Sequence, residues 1–261
     1  MKLRTLLTAV SFVFHCCGYC QWKLIWDDEF NYNGLPDSVK WSSEVGFVRG
    51  NESQFYTKNR IENERVEGGN LVIETRKENY QSAKYTSASL HTRFKGDWLY
   101  GKFEMRAMLP RGRGIWPAIW MMATNDDYGG WPNCGEIDIM ESVGFDPFMI
   151  YMTIHTGMFN GSKGTQIGSK TRIDDPYDHF HIYRLEWFPD RLDFYVDDVK
   201  YMTYPKASDD KSIWPYDRAH YLIMNVAVGG NWGSLKGIDD SIFPQKMYVD
   251  YVRVYQKEDN K

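Results

Sequence analysis

The chain of 261 residues carries 31 Lys+Arg against 35 Asp+Glu, a formal net charge of −4, with 43% hydrophobic and 25% charged residues. That balance excludes a protein built to grip a nucleic-acid backbone, which requires a basic surface, and excludes a disordered chain, which lacks the apolar residues for a core. No apolar run reaches the roughly 18 residues of a membrane-spanning helix.

The first 20 residues read as a secretory signal peptide. Met1-Lys2-Leu3-Arg4 supplies two positive charges, residues 6–14 form a short apolar stretch, and Cys16, Cys17, Gly18, Tyr19 and Cys20 precede polar Gln21. A charged start, a short apolar stretch and small residues at the boundary are the pattern of export with cleavage, here after Cys20. A lipid-modified cysteine is the alternative for the cluster, although Tyr19 before Cys20 fits it poorly. Cleavage removes three of the four cysteines and leaves Cys134, so the exported chain holds no intrachain disulfide and depends on its core.

From Trp22 onward, strand signals recur. Residues 70–75 alternate apolar and polar side chains. Residues 192–196 do the same, turn at Asp197-Asp198 and return through 200–203 as a hairpin. Residues 221–228 and 247–255 are further Tyr- and Val-rich strands, and Gly and Asp cluster between the runs. No sustained helical period, linker or internal repeat divides residues 21–261. They are expected to form a single all-β domain, a jelly-roll sandwich of two antiparallel sheets. The chain also holds 10 Trp, 18 Tyr and 14 Phe. Ten indoles exceed the usual need of a core, and half-wet aromatic rings are natural platforms for the C–H-rich faces of sugars.

Residues 131–144 carry the chemistry. They contain Glu136-Ile137-Asp138-Ile139-Met140-Glu141, a strand by composition. In a regular strand Glu136, Asp138 and Met140 share one face and Glu141 points into the sandwich. A buried, unpaired Glu costs several kcal/mol, about 2–7 for a polar group and more for a charge. One β-bulge near Met140 returns Glu141 to the face of Glu136 and Asp138. Three like charges side by side destabilise a fold unless they hold a cation or perform chemistry. A metal site is one alternative, for which the Trp-rich neighbours make a poor shell. Glycosidic hydrolysis is the other. It needs one ionised and one protonated carboxyl, about 5–5.5 Å apart when configuration is retained, and an acid between them holds their pKa values apart. In residues 114–121, alternation places Trp116, Ala118 and Trp120 on one face with Ile119 and Met121 inward. Trp131 and Trp232 complete a set of indoles near the acids.

The segment Gly135-Glu136-Ile137-Asp138-Ile139-Met140-Glu141, preceded by Trp131-Pro132, resembles glycoside hydrolase family 16 in its laminarinase-like branch. The resemblance runs through nearly all of the chain after residue 20, including Trp26-Asp27-Asp28-Glu29-Phe30, Trp116-Pro117-Ala118-Ile119-Trp120, Gly229-Gly230-Asn231-Trp232-Gly233 and Val249-Asp250-Tyr251. It implies a concanavalin A-like sandwich with an open cleft on its concave sheet, and endo-acting, retaining hydrolysis without a catalytic cofactor. By motif position it implies Glu136 as nucleophile, Asp138 as electrostatic helper and Glu141 as general acid/base. Trp116, Trp120, Trp131, Trp232, Asn51, Glu52 and His155 match positions that line the cleft. Glu29, the Gly69 carbonyl and Asp250 match a structural Ca²⁺ set, consistent with the preference of that ion for hard oxygen ligands.

The chain departs from the pattern at Ser89, where many relatives carry Arg, at Gly157, where an acid often follows the His-Thr pair, and at Cys134, usually Ala or Ser. The leading expectation is an exported, monomeric endo-β-1,3-glucanase cutting laminarin-type or mixed-linkage glucan. The runner-up is an endo-β-galactosidase of the same fold, acting on mucin-type glycans or algal galactans. A non-catalytic sugar-binding module is a third class, opposed by the intact acidic triplet.

Overall fold

A computed structural model describes residues 21–258; the expected signal peptide lies outside the described residues. Alternating side chains and Gly- or Asp-bearing turns produce strands that stack as two sheets. One sheet has eight strands in the spatial order Ile167–Arg172, Met149–His155, Glu136–Glu141, Ile115–Ala123, His220–Val228, Ser89–His91 and Ser42–Ser43, with Asp97–Trp98 also paired to His220–Val228. The ten-stranded sheet centres on Gly101–Met108 and Gln245–Lys257, flanked by His181–Phe188 on one side and Asn70–Tyr80 on the other. Pairing is antiparallel except between Gln54–Tyr56 and Ala83–Ser87, which run parallel. The expected hairpin is present as Arg191–Val196 and Val199–Pro205, with Asp197 at φ +53° in the turn.

The core lies between the sheets. Ile119, Met121, Ile137, Ile139 and Met140 from the eight-stranded sheet meet Phe103, Met105, Leu185, Val252 and Val254 from the other, all fully buried. Each such side chain contributes roughly 1.5–3 kcal/mol of burial. Gly101–Met108 alternates buried and half-buried residues along its whole length, as a strand with one face on a core does.

On the opposite face of the eight-stranded sheet, Ala118, Trp120 and Ile223 form a separate small cluster with Met122 and Tyr221. This is the face that carries the candidate site. Loops fold over one side of it. Asn225 Nδ2 donates to the Tyr56 hydroxyl at 3.0 Å, Ser87 Oγ to the Val226 carbonyl at 2.6 Å, and the Val228 amide to Gln54 Oε1 at 2.7 Å. These bonds satisfy polar groups on a strand that would otherwise be buried unpaired.

No helix among the described residues is long and apolar enough to cross a membrane.

Candidate active site

Glu136–Glu141 runs between Ile115–Ala123 and Met149–His155. Asp138 pairs with Trp120 while Met140 pairs with Ile119, so one residue is extra between them. On the other side Asp138 faces Thr153 and Glu141 faces Tyr151, again with one extra residue. The expected bulge is therefore present at Ile139-Met140. Both of these side chains turn into the core, and Glu141 emerges on the face of Glu136 and Asp138.

Indole N–H groups hold the two outer acids. Trp116 Nε1 donates to Glu141 Oε1 at 3.0 Å, and Trp131 Nε1 donates to Glu136 Oε2. His155 lies beside the middle acid, with Nε2 3.3 Å from Asp138 Oδ2. The Gly161 amide donates to His155 Nδ1 at 3.0 Å, which makes Nδ1 the acceptor and leaves the ring proton on Nε2, towards Asp138. Asp138 Oδ2 is buried without a hydrogen bond of good geometry, an exception of the kind that marks working sites. The Tyr216 hydroxyl lies 3.1 Å from the Glu136 carbonyl and 3.0 Å from the His155 carbonyl, tying the two strands together beneath the acids.

Burial raises all three acids. The Glu136 carboxyl is pushed up to about 8, by desolvation first and then by the charge of Asp138, while His155 and the Trp131 N–H pull it down. Asp138 rises to about 7 through desolvation, opposed by its hydrogen bond with Glu136. Glu141 is held well above the ordinary carboxylate range by desolvation and by the charges of both other acids. A face that carries a firmly protonated Glu141 and an indole-held Glu136 can deliver a proton from one end and an attacking oxygen from the other. Atoms of Glu136, Asp138 and His155 also lie within 4.8 Å of one another, a spacing that a cation could bridge.

The flanking residues divide into those the structure brings to the cleft and those it does not. Trp131 is 44% exposed. Trp116 and Trp232 are half-buried and meet edge to face at 5.5 Å, and Tyr151 packs against Trp232 at 4.9 Å. Gly230 lies close beneath Trp116, at φ +81°, where a Cβ would stand 3.2 Å from Glu52 Cγ and 3.3 Å from the Trp116 ring. Asn51 is exposed and donates to Asn231 Oδ1 at 2.9 Å.

Two expectations need correction. Trp120 is only 7% exposed, its N–H is spent on Asn225 Oδ1 at 2.8 Å, and the Arg49 guanidinium lies over its ring at 4.9 Å, so its face is not open to a sugar. Glu52 is also buried; it accepts from Gln54 Nε2 at 2.6 Å and bridges to Gly229, so it shapes the loop instead of lining the cleft.

The calcium set is corrected as well. Arg253 grips both oxygens of Glu29 at 2.6 and 2.8 Å, and Arg106 holds Asp250 at 2.6 Å. With both carboxylates neutralised by guanidinium groups, Glu29, Gly69 and Asp250 do not fit a Ca²⁺ ion, which needs their charge for itself.

The departures are also placed. Ser89 Oγ donates to Glu44 Oε2 at 2.5 Å, the same oxygen that pairs with Arg49. A Cβ at Gly157 would stand 2.5 Å from Asn133 Oδ1, so an acid there would displace Asn133. Cys134 is buried near Met122, with its thiol pushed up to about 11 by burial, which leaves it unreactive. Sequence reading missed Arg49 and Tyr216. A cation between Gly46 and Gly50, next to Asn51-Glu52, was the available signal for the first, and none marked the second.

Residues 51–253 match the family described as glycosyl hydrolases family 16. A beta-glucanase of Rhodothermus marinus is 46% identical over 98% of this chain and 97% of its own length. A glucan endo-1,3-beta-glucosidase of Cryptopygus antarcticus is 41% identical over 84% of this chain and 85% of its own. The solved structure of the laminarinase from Rhodothermus marinus superposes with a TM-score of 0.88 at 48% identity, covering 92% of this chain and 99% of that one. With the bulged acidic strand, the sandwich and these likenesses in agreement, the chain belongs to glycosyl hydrolases family 16.

Proposed function

We propose that the protein is an endo-acting, retaining β-1,3-glucanase, which also accepts mixed-linkage β-glucan. The observation that carries this reading is the single bulge that sets Glu136, Asp138 and Glu141 on one face, the one opposite the inter-sheet core. The names of the beta-glucanase, endo-1,3-beta-glucosidase and laminarinase relatives support the choice of glucan.

Protonated Glu141 gives its proton to the glycosidic oxygen as the bond to the leaving chain breaks. Glu136, ionised with the proton it shares with Asp138 resting on Asp138, attacks the anomeric carbon from the opposite side and forms a glycosyl-enzyme ester. Glu141, now ionised, takes a proton from water, and the resulting hydroxide displaces Glu136. Two inversions return the original anomer. Trp131 steadies the attacking oxygen of Glu136 through its N–H. Asp138 keeps the outer pKa values high when charged and shares a proton with Glu136 through their hydrogen bond. His155 presents its Nε2 proton to Asp138. No step requires a cofactor.

Trp116, Trp131 and Trp232 offer rings along an open cleft, which suits a chain bound in its middle and cut internally. Export through residues 1–20 and a monomeric state belong to the same proposal; amino-terminal sequencing of the secreted protein tests the first and light scattering the second. The substrate is tested by incubation with laminarin, barley β-glucan, cellulose, agarose, porphyran and mucin O-glycans, followed by sizing of the products. Short oligosaccharides from laminarin and barley glucan, with little from cellulose, are expected. Release from mucin or a galactan alone would replace glucan by galactoside and leave the catalytic residues as assigned.

A further inference from the structure

The sequence places Trp120 among the sugar platforms, yet Arg49 has taken its ring face. Trp120 belongs to the small cluster on the face opposite the inter-sheet core, so a guanidinium stacked on it lies on the cleft side of the sheet. Trp120 is also the strand partner of Asp138, which puts Arg49 one strand away from the acids. The arrangement is rigid. Trp120 is pinned by Asn225, Asn225 by Tyr56, and Arg49 also lies over the Tyr56 ring at 5.7 Å.

Arg49 is under-used by the protein itself. A guanidinium has five N–H donors. Among the described residues only Nη2 finds an acceptor, the Glu44 carboxylate that Ser89 also bonds, and Nη1 is shielded from water without a partner. About a quarter of the side chain, 25%, stays open to solvent. The solvent-open part of a pinned cation with donors to spare, on the face that carries the acids, is complementary to hydroxyl oxygens.

We propose that Arg49 is a specificity-determining residue that donates hydrogen bonds to the hydroxyl edge of a sugar ring bound beside Asp138. The inference rests on the reading of the cleft as a β-glycan hydrolase site. Its consequence is a change in the manner of recognition on this side of the catalytic strand. An open indole accepts the C–H face of many pyranoses alike, whereas a fixed donor distinguishes hydroxyl configurations, since a misplaced hydroxyl leaves a desolvated N–H unpaired. Discrimination between gluco- and galacto-configured chains is therefore assigned to Arg49, and stacking to Trp116, Trp131 and Trp232.

The test uses Arg49→Met, which keeps an apolar stem over Trp120 and removes the donors, and Arg49→Lys, which keeps the charge and can still pair with Glu44. KM, kcat and melting temperature are measured on whichever polysaccharide the unaltered enzyme cuts best, together with its kcat/KM ratio between gluco- and galacto-configured polymers. Expected for Arg49→Met is a rise in KM of about tenfold to a hundredfold, a smaller change in kcat, and a fall of about tenfold in the selectivity ratio. Arg49→Lys is expected to restore the melting temperature but not the selectivity. Unchanged KM and selectivity in folded Arg49→Met, or full recovery of both in Arg49→Lys, would reduce Arg49 to a structural clamp on Glu44 and overturn the proposal. If Arg49→Met does not fold, the selectivity of Arg49→Lys decides by the same criterion. Should the unaltered enzyme cut a galactan and no glucan, the substrate reading fails while Arg49 is judged on that galactan.

Discussion

Asp138 and Asp193 are equally hidden, each 2% exposed, one in each sheet, and they titrate in opposite directions. Burial pushes Asp193 up, but Thr203 at 2.6 Å, Arg191 at 2.9 Å and Lys200 at 3.5 Å together bring its carboxyl below the ordinary range. Asp138 has acids on both sides along its strand, a histidine at 3.3 Å and, among the described residues, no lysine or arginine paired with it, and it rises to about 7. The ten-stranded sheet repeats the first pattern at Glu29–Arg253, Asp250–Arg106 and Glu74–Arg65. Depth alone does not determine how an acid behaves; its partners do. A paired carboxylate serves the fold, and an unpaired cluster costs the fold stability in exchange for chemistry.

The sharpest way to break this contrast is to remove the acids one by one. Glu141→Gln is expected to lose roughly 10²–10⁴-fold in kcat, the usual contribution of a general acid. Glu136→Gln should lose turnover altogether while both proteins fold and bind glycan. Azide should rescue Glu136→Ala with a product of inverted configuration, and NMR of early products from the unaltered enzyme should show the β-anomer first. Full turnover by purified Glu136→Gln would sink the assignment.

Stability should then move in opposite directions for the two aspartates. The pKa of Asp138 is higher in the folded state, so its favourable contribution holds below the unfolded value near 3.8 and is lost as pH rises through about 7. Asp138→Asn should be more stable than the unaltered protein at pH 8, on the order of 1–3 kcal/mol, with the gain gone by pH 4. The pKa of Asp193 is lowered in the folded state, so its contribution is present at neutral pH and lost in acid. Asp193→Asn should be less stable at pH 7 by about 1–3 kcal/mol and converge with the unaltered protein as pH falls. Denaturant melts at three pH values check both, and equal signs for the two variants would erase the distinction.

A smaller effect concerns the rate profile. The charge of Asp138 helps raise Glu141, so its removal should let Glu141 ionise at lower pH. The residual activity of Asp138→Asn should lose its alkaline limb earlier than the unaltered enzyme; a limb that stays in place would show that Asp138 does not set the proton affinity of Glu141. The smallest expected effect is none at all: with Glu29 and Asp250 already paired to arginines, added Ca²⁺ or EDTA should leave the melting temperature unchanged. A rise with Ca²⁺ would mean that the ion displaces those arginines.

The catalytic strand was legible because its charge pattern conflicts with strand alternation, and only one local defect resolves the conflict. The strands around residues 70–75, 192–203 and 247–255 were legible from composition and turn residues, which act over a few positions. What stayed hidden depends on contacts between distant segments. Arg49 reaches Trp120 only because its loop folds over the eight-stranded sheet, and nothing near residue 120 announces the cation. Arg106 lies across from Tyr251, next to Asp250, through strand register, and no spacing in the sequence reveals that neighbour.

The bulge at Ile139-Met140 makes the site depend on counting. Glu136 and Glu141 stand an odd number of positions apart, so in a plain pleat they can never share a side. The strand keeps them together by turning two consecutive residues inward, and no side chain substitution can imitate that shift of parity. Removing one residue between Asp138 and Glu141 would make their separation even, so a strand returned to regular alternation would carry all three acids on one face without the bulge. Adding one residue while the bulge persists would turn Glu141 into the core among Ile137 and Ile154. The side on which Glu141 emerges is thus set by the bulge and the residue count of Glu136–Glu141 together, and not by the identity of any one side chain between them.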